Sequence, residues 1–303
     1  MVSQSEQKAK EYAYSEIFYS MQGEGKYTGE PTAWLRFFLC NLQCDGFGQK
    51  DPTDPSTYEL PYQNIDTEQY DKITDLPVFA YGCDSSYSWS KKFRHLQHKH
   101  TPAVIAEKVR DVIPNRSYDN NIHLCFTGGE PMMKHAQSAS VGVMKHYDET
   151  GEKVPSVTYE TNGTQEMSDE FFNYWIDKQD ETELFFSVSP KLWTVAGERR
   201  DRAIKPDVVA RYSKLTGGNG QLKFVCNGTD IAWDEIEEVT QMFRDAGCDY
   251  PVWIMPLGGT VEGQKGEIDG HIPAHVIADE ALARGYRVSA RVHAYLWENI
   301  IGK

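Results

Sequence analysis

Two hydrophobic rhythms alternate along most of the chain. Short apolar runs predict strands at 14–20, 33–39, 122–126, 156–159, 184–188, 221–226, 252–255 and 286–292. Between the later runs, apolar residues return at helical spacing. Val104, Ile105, Val109, Val112 and Ile113 follow Thr101 and Pro102, which offer an N-cap and a first-turn proline. Further helices are predicted near 135–147, 168–178, 205–214, 231–246 and 273–284, the last two stopped by Gly247 and Gly285. Strands alternating with helices of this length imply a parallel sheet with right-handed crossovers. Only about six strands follow one another in this way, fewer than the eight of a closed barrel. The expected fold is therefore α/β, a partial, open β/α barrel with parallel strands.

Three stretches break the rhythm. Residues 1–10 are polar and predict a loose start. The alternating strand Tyr14–Ser20 runs into Met21-Gln22-Gly23-Glu24-Gly25, where two glycines bracket a carboxylate in a turn. The segment 45–82 is rich in Asp, Pro, Tyr and Gln, and Pro52, Pro55, Pro61 and Pro77 exclude a long helix from it. It reads as an elaborated loop that needs some order of its own. One domain is expected over 1–303, with a core at 11–44 and 80–293 and an inserted loop at 45–79.

Polar and glycine-rich residues collect after the carboxyl ends of the predicted strands. Cys40 and Cys44, Thr127–Pro131, Glu160–Gly163, Ser189–Lys191 and His293 all fall there. Ligands bind at that edge in barrels and open parallel sheets alike.

Composition narrows the function classes. The 303 residues are 40% hydrophobic and 12% aromatic, ample for a sizeable core. Six cysteines without a signal-like start describe no secreted disulfide framework, so the cytoplasm is the expected compartment. No run approaches the roughly 20 apolar residues that cross a bilayer. With 45 acidic against 31 basic residues, the formal charge of −14 opposes nucleic-acid binding and favours a small-molecule substrate. The exception is the basic run from Lys91 to His100, which reads as a solvated face or as a surface for an electron donor or an anionic ligand.

The candidate chemistry lies in Cys40, Cys44 and Cys83. Two cysteines four apart are commonly packing residues. Three thiolates at one lip, however, suit a four-iron cluster with one iron left for a ligand that is not protein. Cys125, Cys226 and Cys248 are rivals, one within a predicted strand and two flanking a helix, and they read as structural. Arg36 sits in an apolar strand and needs a partner, either a salt bridge or a substrate carboxylate.

The triad, Gln22-Gly-Glu-Gly25, Thr127-Gly-Gly-Glu-Pro131, Glu160-Thr-Asn-Gly163 and Ser189-Pro-Lys191 together resemble the radical S-adenosylmethionine enzymes. Within that superfamily their order is similar to the 7-carboxy-7-deazaguanine synthase (QueE) family, from about Tyr14 to His293. One departure is the 38-residue spacer between Cys44 and Cys83, where the family generally places the third cysteine soon after the second.

The resemblance implies a lyase that converts 6-carboxytetrahydropterin to 7-carboxy-7-deazaguanine with loss of ammonia, for queuosine-type 7-deazaguanine biosynthesis. It implies a 4Fe-4S cluster on Cys40, Cys44 and Cys83, with S-adenosylmethionine on the free iron. Gly128, Gly129, Glu130, Ser189 and Lys191 would contact that cofactor. Gln22, Gly23, Glu24, Arg36, Thr127 and His293 would contact the pterin, and Ser85, with Asp84 as alternative, would hold magnesium. An electron donor such as flavodoxin is implied as a partner, and a homodimer is left open. The competing readings are a glycyl-radical activase, a non-catalytic regulatory protein on the same fold, and a zinc module with His95, His98 or His100 as fourth ligand.

Overall fold

A strand covered on both faces reads as an unbroken apolar run, and such runs form the middle of the sheet here. In the computed structural model, which describes residues 9–119, 121–268, 270–298 and 300–303, nine strands make one sheet. They are β1 (Tyr12–Met21), β2 (Pro31–Phe37), β3 (His98–His100), β4 (His123–Gly128), β5 (Ser156–Thr161), β6 (Glu183–Val188), β7 (Gly220–Cys226), β8 (Val252–Pro256) and β9 (Arg287–Val288). The order is β3-β1-β2-β4-β5-β6-β7-β8-β9, parallel from β2 onward, with β1 antiparallel to β2 and β3. The sheet does not close, as the alternation predicts. Of the expected loose start, residues 1–8 lie outside the described residues.

Helices α1 (Pro102–Val112), α2 (Lys134–Thr150), α3 (Asp169–Asp177), α4 (Pro206–Leu215), α5 (Asp230–Asp245) and α6 (Ala274–Ala283) form the connections. Thr101 caps α1 through its side chain, and Ser168 does the same for α3, each offering oxygen to an otherwise orphaned backbone N–H. The period of two along each strand separates two interiors. Leu35, Phe37, Leu124, Phe126, Val157, Tyr159, Leu222 and Phe224 belong to the main hydrophobic core. The alternate positions Arg36, Thr127, Glu160 and Lys223 line the cavity instead.

Three expectations take definite form. First, the basic run is a solvated face on regular backbone, with Lys91, Arg94, His95, His98 and Lys99 exposed. Residues Lys91–Leu96 form a 3-10 helix, and His98–His100 pair with Tyr12–Tyr14 as edge strand β3. Second, the strand expected over 286–292 is cut to Arg287–Val288, and His293 lies in helix α7 (Val292–Trp297). The physical cause is competition for the backbone. Ser289 N–H still donates to the Ile254 carbonyl at 2.8 Å, but Val292 N–H donates to Gly23 at 3.0 Å, drawing the chain across the mouth of the sheet.

Third, the inserted segment has a core of its own. Tyr62, Ile73, Leu76, Phe79, Phe93 and Leu96 pack together, with Ile301 from the other end of the chain against them. The prolines that forbid a long helix instead start short ones at Pro55 and Pro61. Among the described residues no helix is long and apolar enough to cross a membrane.

Phe93 is fully buried in this second cluster. Phe93→Ala should cost about 3–5 kcal/mol by cavity formation. Urea unfolding followed by tryptophan fluorescence should register that loss, or a separate early transition of the inserted segment.

Candidate active site

The strand ends open into a single large cavity of about 1800 Å³, counted to its open mouth. Cys40, Cys44, Cys83, Asp84, Ser85, Gly128, Gly129, Ser189 and Lys191 line it, together with Gln22, Gly23, Glu24, Arg36, Thr127 and His293. Sequence positions more than 250 residues apart therefore meet at one rim.

The cysteine loop leaves β2 in an unfavourable backbone. Leu39 has φ of 88° and Cys44 of 56°, both in the left-handed region that non-glycine residues rarely enter. Two sets of hydrogen bonds hold it. Gly129 N–H donates to the Phe37 carbonyl at 3.1 Å and Glu130 N–H to that of Leu39 at 2.9 Å. On the other side, the Glu198 carboxylate accepts from the backbone N–H of Gln43 at 2.7 Å and of Cys44 at 2.8 Å.

The glycine pair is required by this contact. A Cβ on Gly128 would lie 2.4 Å from the Phe37 carbonyl oxygen, and one on Gly129 would lie 2.2 Å from that of Leu39. The two glycines thus set the backbone that carries Cys40, besides lining the cavity.

All three thiols border one small cluster around Leu42 and Ala196. Burial pushes the Cys40 thiol up to about 12, Cys83 to about 11, and Cys44 well above its ordinary value. Lys191 opposes this at all three. Its Nζ donates to Ser189 Oγ at 2.8 Å. Leu42 N–H also points to Cys40 Sγ at 3.4 Å, the kind of contact that stabilises a ligating thiolate. Among the described residues, no three His, Cys, Asp or Glu side chains converge as ligands of a single ion. His95, His98 and His100 line none of the cavity. Cys125, Cys226 and Cys248 are buried in the sheet and its helix layer.

Charged side chains pack along the floor. Arg36 Nε donates to Glu16 Oε1 at 2.6 Å, and Tyr87 donates to the same oxygen at 2.8 Å. The Arg36 Nη1 reaches Ser85 Oγ at 3.3 Å, and Ser85 donates to Asp84 Oδ1 at 3.2 Å. Asp84 is paired with Arg291 at 2.7 Å, and Arg291 with Glu24 at 3.2 Å. Lys223, 3% exposed, bridges Glu24 at 2.5 Å and Glu160 at 3.1 Å. Gln22 donates to Glu160 Oε1 at 3.1 Å.

Burial alone would raise the Glu24 carboxyl, yet Lys223, Arg291 and His293 hold it well below the usual carboxylate range. For Asp84, burial is again outweighed, here by Arg291. His293 stacks its ring where a Gly23 Cβ would sit, 2.1 Å from Nδ1. Burial pushes its imidazole below its ordinary value, with Glu24 opposing.

Comparison with known proteins bears on this geometry. No family model matches the chain. It is similar to a protein of Halobacterium salinarum named 7-carboxy-7-deazaguanine synthase, 28% identical over 94% of this chain and 90% of that one. A protein of that name from Rhodopirellula baltica is 25% identical over 92% of this chain and 83% of its own length, and one from Pyrobaculum aerophilum 23% over 95% and 96%. The similarity to proteins of this name extends over nearly the whole chain. The crystal structure of QueE from Escherichia coli shares the fold, with a TM-score of 0.51 and 18% identity over 93% of this chain and 95% of that one.

Glu130 is the expected site residue that departs from the cavity. It is 1% exposed and accepts from Thr161 Oγ1 at 2.6 Å, Asn162 N–H at 2.8 Å and Met132 N–H at 2.9 Å. Its carboxylate is committed to joining the ends of β4 and β5, so it braces the glycine turn from below. Arg36 has the salt bridge that was one of its two readings, and still faces the cavity. Lys223, Arg291, Glu160 and Glu16 were not singled out as ligands by the sequence. Lys223 carried the signal that flagged Arg36, a cation within the apolar run Gln221–Cys226.

Removing one member of a buried charge network leaves its partners uncompensated, at a cost of about 3–5 kcal/mol. Lys223→Met should lose that much stability at pH 7 in chemical denaturation. The depressed carboxyl of Glu24 lends wild-type stability above the ordinary carboxylate pKa and loses it as pH falls. Acidification below about pH 4 should therefore narrow the gap between wild type and Lys223→Met. A gap independent of pH would disprove the pairing.

Proposed function

We infer that this chain is a radical S-adenosylmethionine lyase that converts 6-carboxy-5,6,7,8-tetrahydropterin to 7-carboxy-7-deazaguanine, releasing ammonia. The observation that carries this reading is the union, in one cavity, of three clustered thiols with carboxylates and cations facing inward from successive strands. Relatives of that name spanning nearly the whole chain support it. When bound, a 4Fe-4S cluster and S-adenosylmethionine would supply a one-electron reductive cleavage that generates a hydrogen-abstracting radical.

Cys40, Cys44 and Cys83 are the proposed cluster ligands. Lys191 would offset the negative charge that three thiolates bring into a buried site, in the same way that it already opposes the effect of burial on their protonation. Gly128, Gly129 and Ser189 border the neighbouring space, where the backbone can approach the amino-acid end of S-adenosylmethionine.

On the other side, Glu24 and Glu160 offer carboxylate acceptors to the N–H edge of a pterin, joined by Gln22 and Thr127. Lys223 pairs with both carboxylates and orients them. Arg36 uses Nε for Glu16 and Nη1 for Ser85, which leaves Nη2 for the substrate carboxylate. Ser85, beside Asp84, supplies oxygen for magnesium that would share that carboxylate. His293, against Gly23, closes the pterin side. The inserted core and residues 300–303 wall the mouth, which limits water around a reactive intermediate. Free thiols and such a cluster fit a reducing cytoplasm, with an electron carrier such as flavodoxin as the donor.

Anaerobic incubation with S-adenosylmethionine, dithionite and carboxytetrahydropterin should yield 5′-deoxyadenosine together with 7-carboxy-7-deazaguanine. Release of 5′-deoxyadenosine without the deazaguanine would keep the radical chemistry and refute the substrate. Cys83→Ala should abolish the iron–sulfur absorbance of reconstituted protein, and an intact spectrum would refute the third ligand.

A further inference from the structure

The turn after β5 reaches the cysteine loop through Asn162, a cavity-lining side chain that neither the cofactor nor the pterin contacts above employ. We propose that Asn162 is a positioning residue for the cluster: its amide N–H is aimed at the Cys40 sulfur and raises the potential at which the loaded cluster accepts an electron. The inference rests on the radical reading above and deepens it, naming what tunes the electron affinity of that site.

The orientation of the amide is fixed by its partners. Asn162 is 6% exposed, and its Oδ1 accepts from the backbone N–H of Thr164 at 3.0 Å and from Thr164 Oγ1 at 2.6 Å. A backbone N–H can only donate, so the atom it meets is the oxygen and the nitrogen faces the other way. Nδ2 then lies 3.1 Å from Asn41 Oδ1 and 3.9 Å from Cys40 Sγ. Its two N–H groups have one acceptor each. Asn41 Nδ2 donates in turn to Thr164 Oγ1 at 2.9 Å, which closes a ring of side chains between the cysteine loop and the β5 turn. Gly163, with φ of 76°, lets the chain reverse directly behind Asn162.

The chemistry follows from what surrounds the sulfur. Leu42 N–H approaches Cys40 Sγ at 3.4 Å, so donors from two distant parts of the chain converge on one thiol. A ligating thiolate carries more charge than a thiol and accepts more strongly. Donors to it stabilise the electron-rich reduced cluster more than the oxidised one, and hydrogen bonds to the sulfurs are among the levers that set cluster potentials. Asn162 also stands between that sulfur and a carboxylate. Its backbone N–H donates to Glu130 Oε2 at 2.8 Å, and the Glu130 charge disfavours a thiolate at Cys40. One residue thus engages the neighbouring anion through its main chain and the sulfur through its side chain.

A mechanical brace for the loop would need the ring of side chains and not the contact with sulfur. Asn41 and Asn162 separate these roles, because both belong to the ring and, of the two, Asn162 is the one that donates to Cys40. The step concerned adds one electron from an external one-electron donor to the oxidised cluster, and no bond forms or breaks in it.

The test is an anaerobic redox titration of reconstituted holoenzyme with dithionite, without S-adenosylmethionine, read by electron paramagnetic resonance of the reduced cluster. Asn162→Leu, similar in shape but without a donor, should lower the equilibrium constant for reduction about tenfold, the lower end of what outer-shell partners contribute. For one electron that is a shift of about 59 mV to more negative potential. Asn162→Asp keeps the acceptor for Thr164 and turns an anionic oxygen toward the sulfur, so it should shift the potential further in the same direction. It also reports if Asn162→Leu fails to load. Asn41→Ala opens the ring and should keep the wild-type potential. Iron and sulfide content and thermal melting check that the compared proteins are loaded and folded. An unchanged or raised potential in the Asn162 variants overturns the proposal, as does an equal shift in Asn41→Ala. Loss of the cluster from both Asn162 variants would make the residue a requirement of assembly and overturn it too. Shifts as expected in a protein whose wild type releases no 5′-deoxyadenosine with S-adenosylmethionine and dithionite would keep the donor and overturn the radical reading instead.

Discussion

Placing charges inside a sheet is the constraint on which the rest of this structure depends. Each ion taken out of water costs several kcal/mol unless another charge and further hydrogen bonds compensate it. The floor of the cavity meets that requirement with a connected series running Glu16, Arg36, Ser85, Asp84, Arg291, Glu24, Lys223 and Glu160. These residues come from β1, β2, β5, β7, the first turn, the segment after Cys83 and the final turn before α7. The network therefore joins both ends of the chain to the inserted segment. It also explains the short β9, because Arg291 turns inward to Asp84 and Glu24 instead of continuing the strand.

The cysteine loop obeys a different rule. Its backbone is held in positive φ at Leu39 and Cys44 and is clamped between the glycine turn after β4 and the carboxylate of Glu198. Strained backbone persists only where its surroundings over-determine it. Glu130, buried beneath the turn, and Glu198, behind the loop, are two acidic side chains spent on supporting geometry, while Glu24 and Glu160 face the cavity. Four carboxylates of similar sequence character thus divide into two kinds of work by where their hydrogen-bond partners lie.

The long spacer between Cys44 and Cys83 is accommodated because it leaves and rejoins the cluster loop at nearly one place. Gly82 N–H donates to the Phe47 carbonyl at 2.8 Å, which closes the insertion at its base. The excursion then builds its own apolar cluster and carries no strand of the sheet. That position lets it wall the cavity on one flank.

Much of this was legible in the sequence. Hydrophobic period alone determined the parallel order of strands and helices, since a run of Val, Leu, Phe and Ile has no stable place except between covering layers. The strand-end positions of Cys40, Thr127 and Ser189 followed from the same pattern, and with them the rim that carries the chemistry. Only tertiary structure decided how the charges were shared. Glu130 follows the end of β4 and Glu160 lies in the last part of β5's pairing with β6, yet one accepts from backbone N–H groups and the other faces the cavity. Nor could spacing reveal that Lys223 lies between two carboxylates or that His293 starts a helix, because both depend on partners more than 60 residues away. Local pattern reports which side of a strand is apolar; long-range electrostatics decides what each buried charge is for.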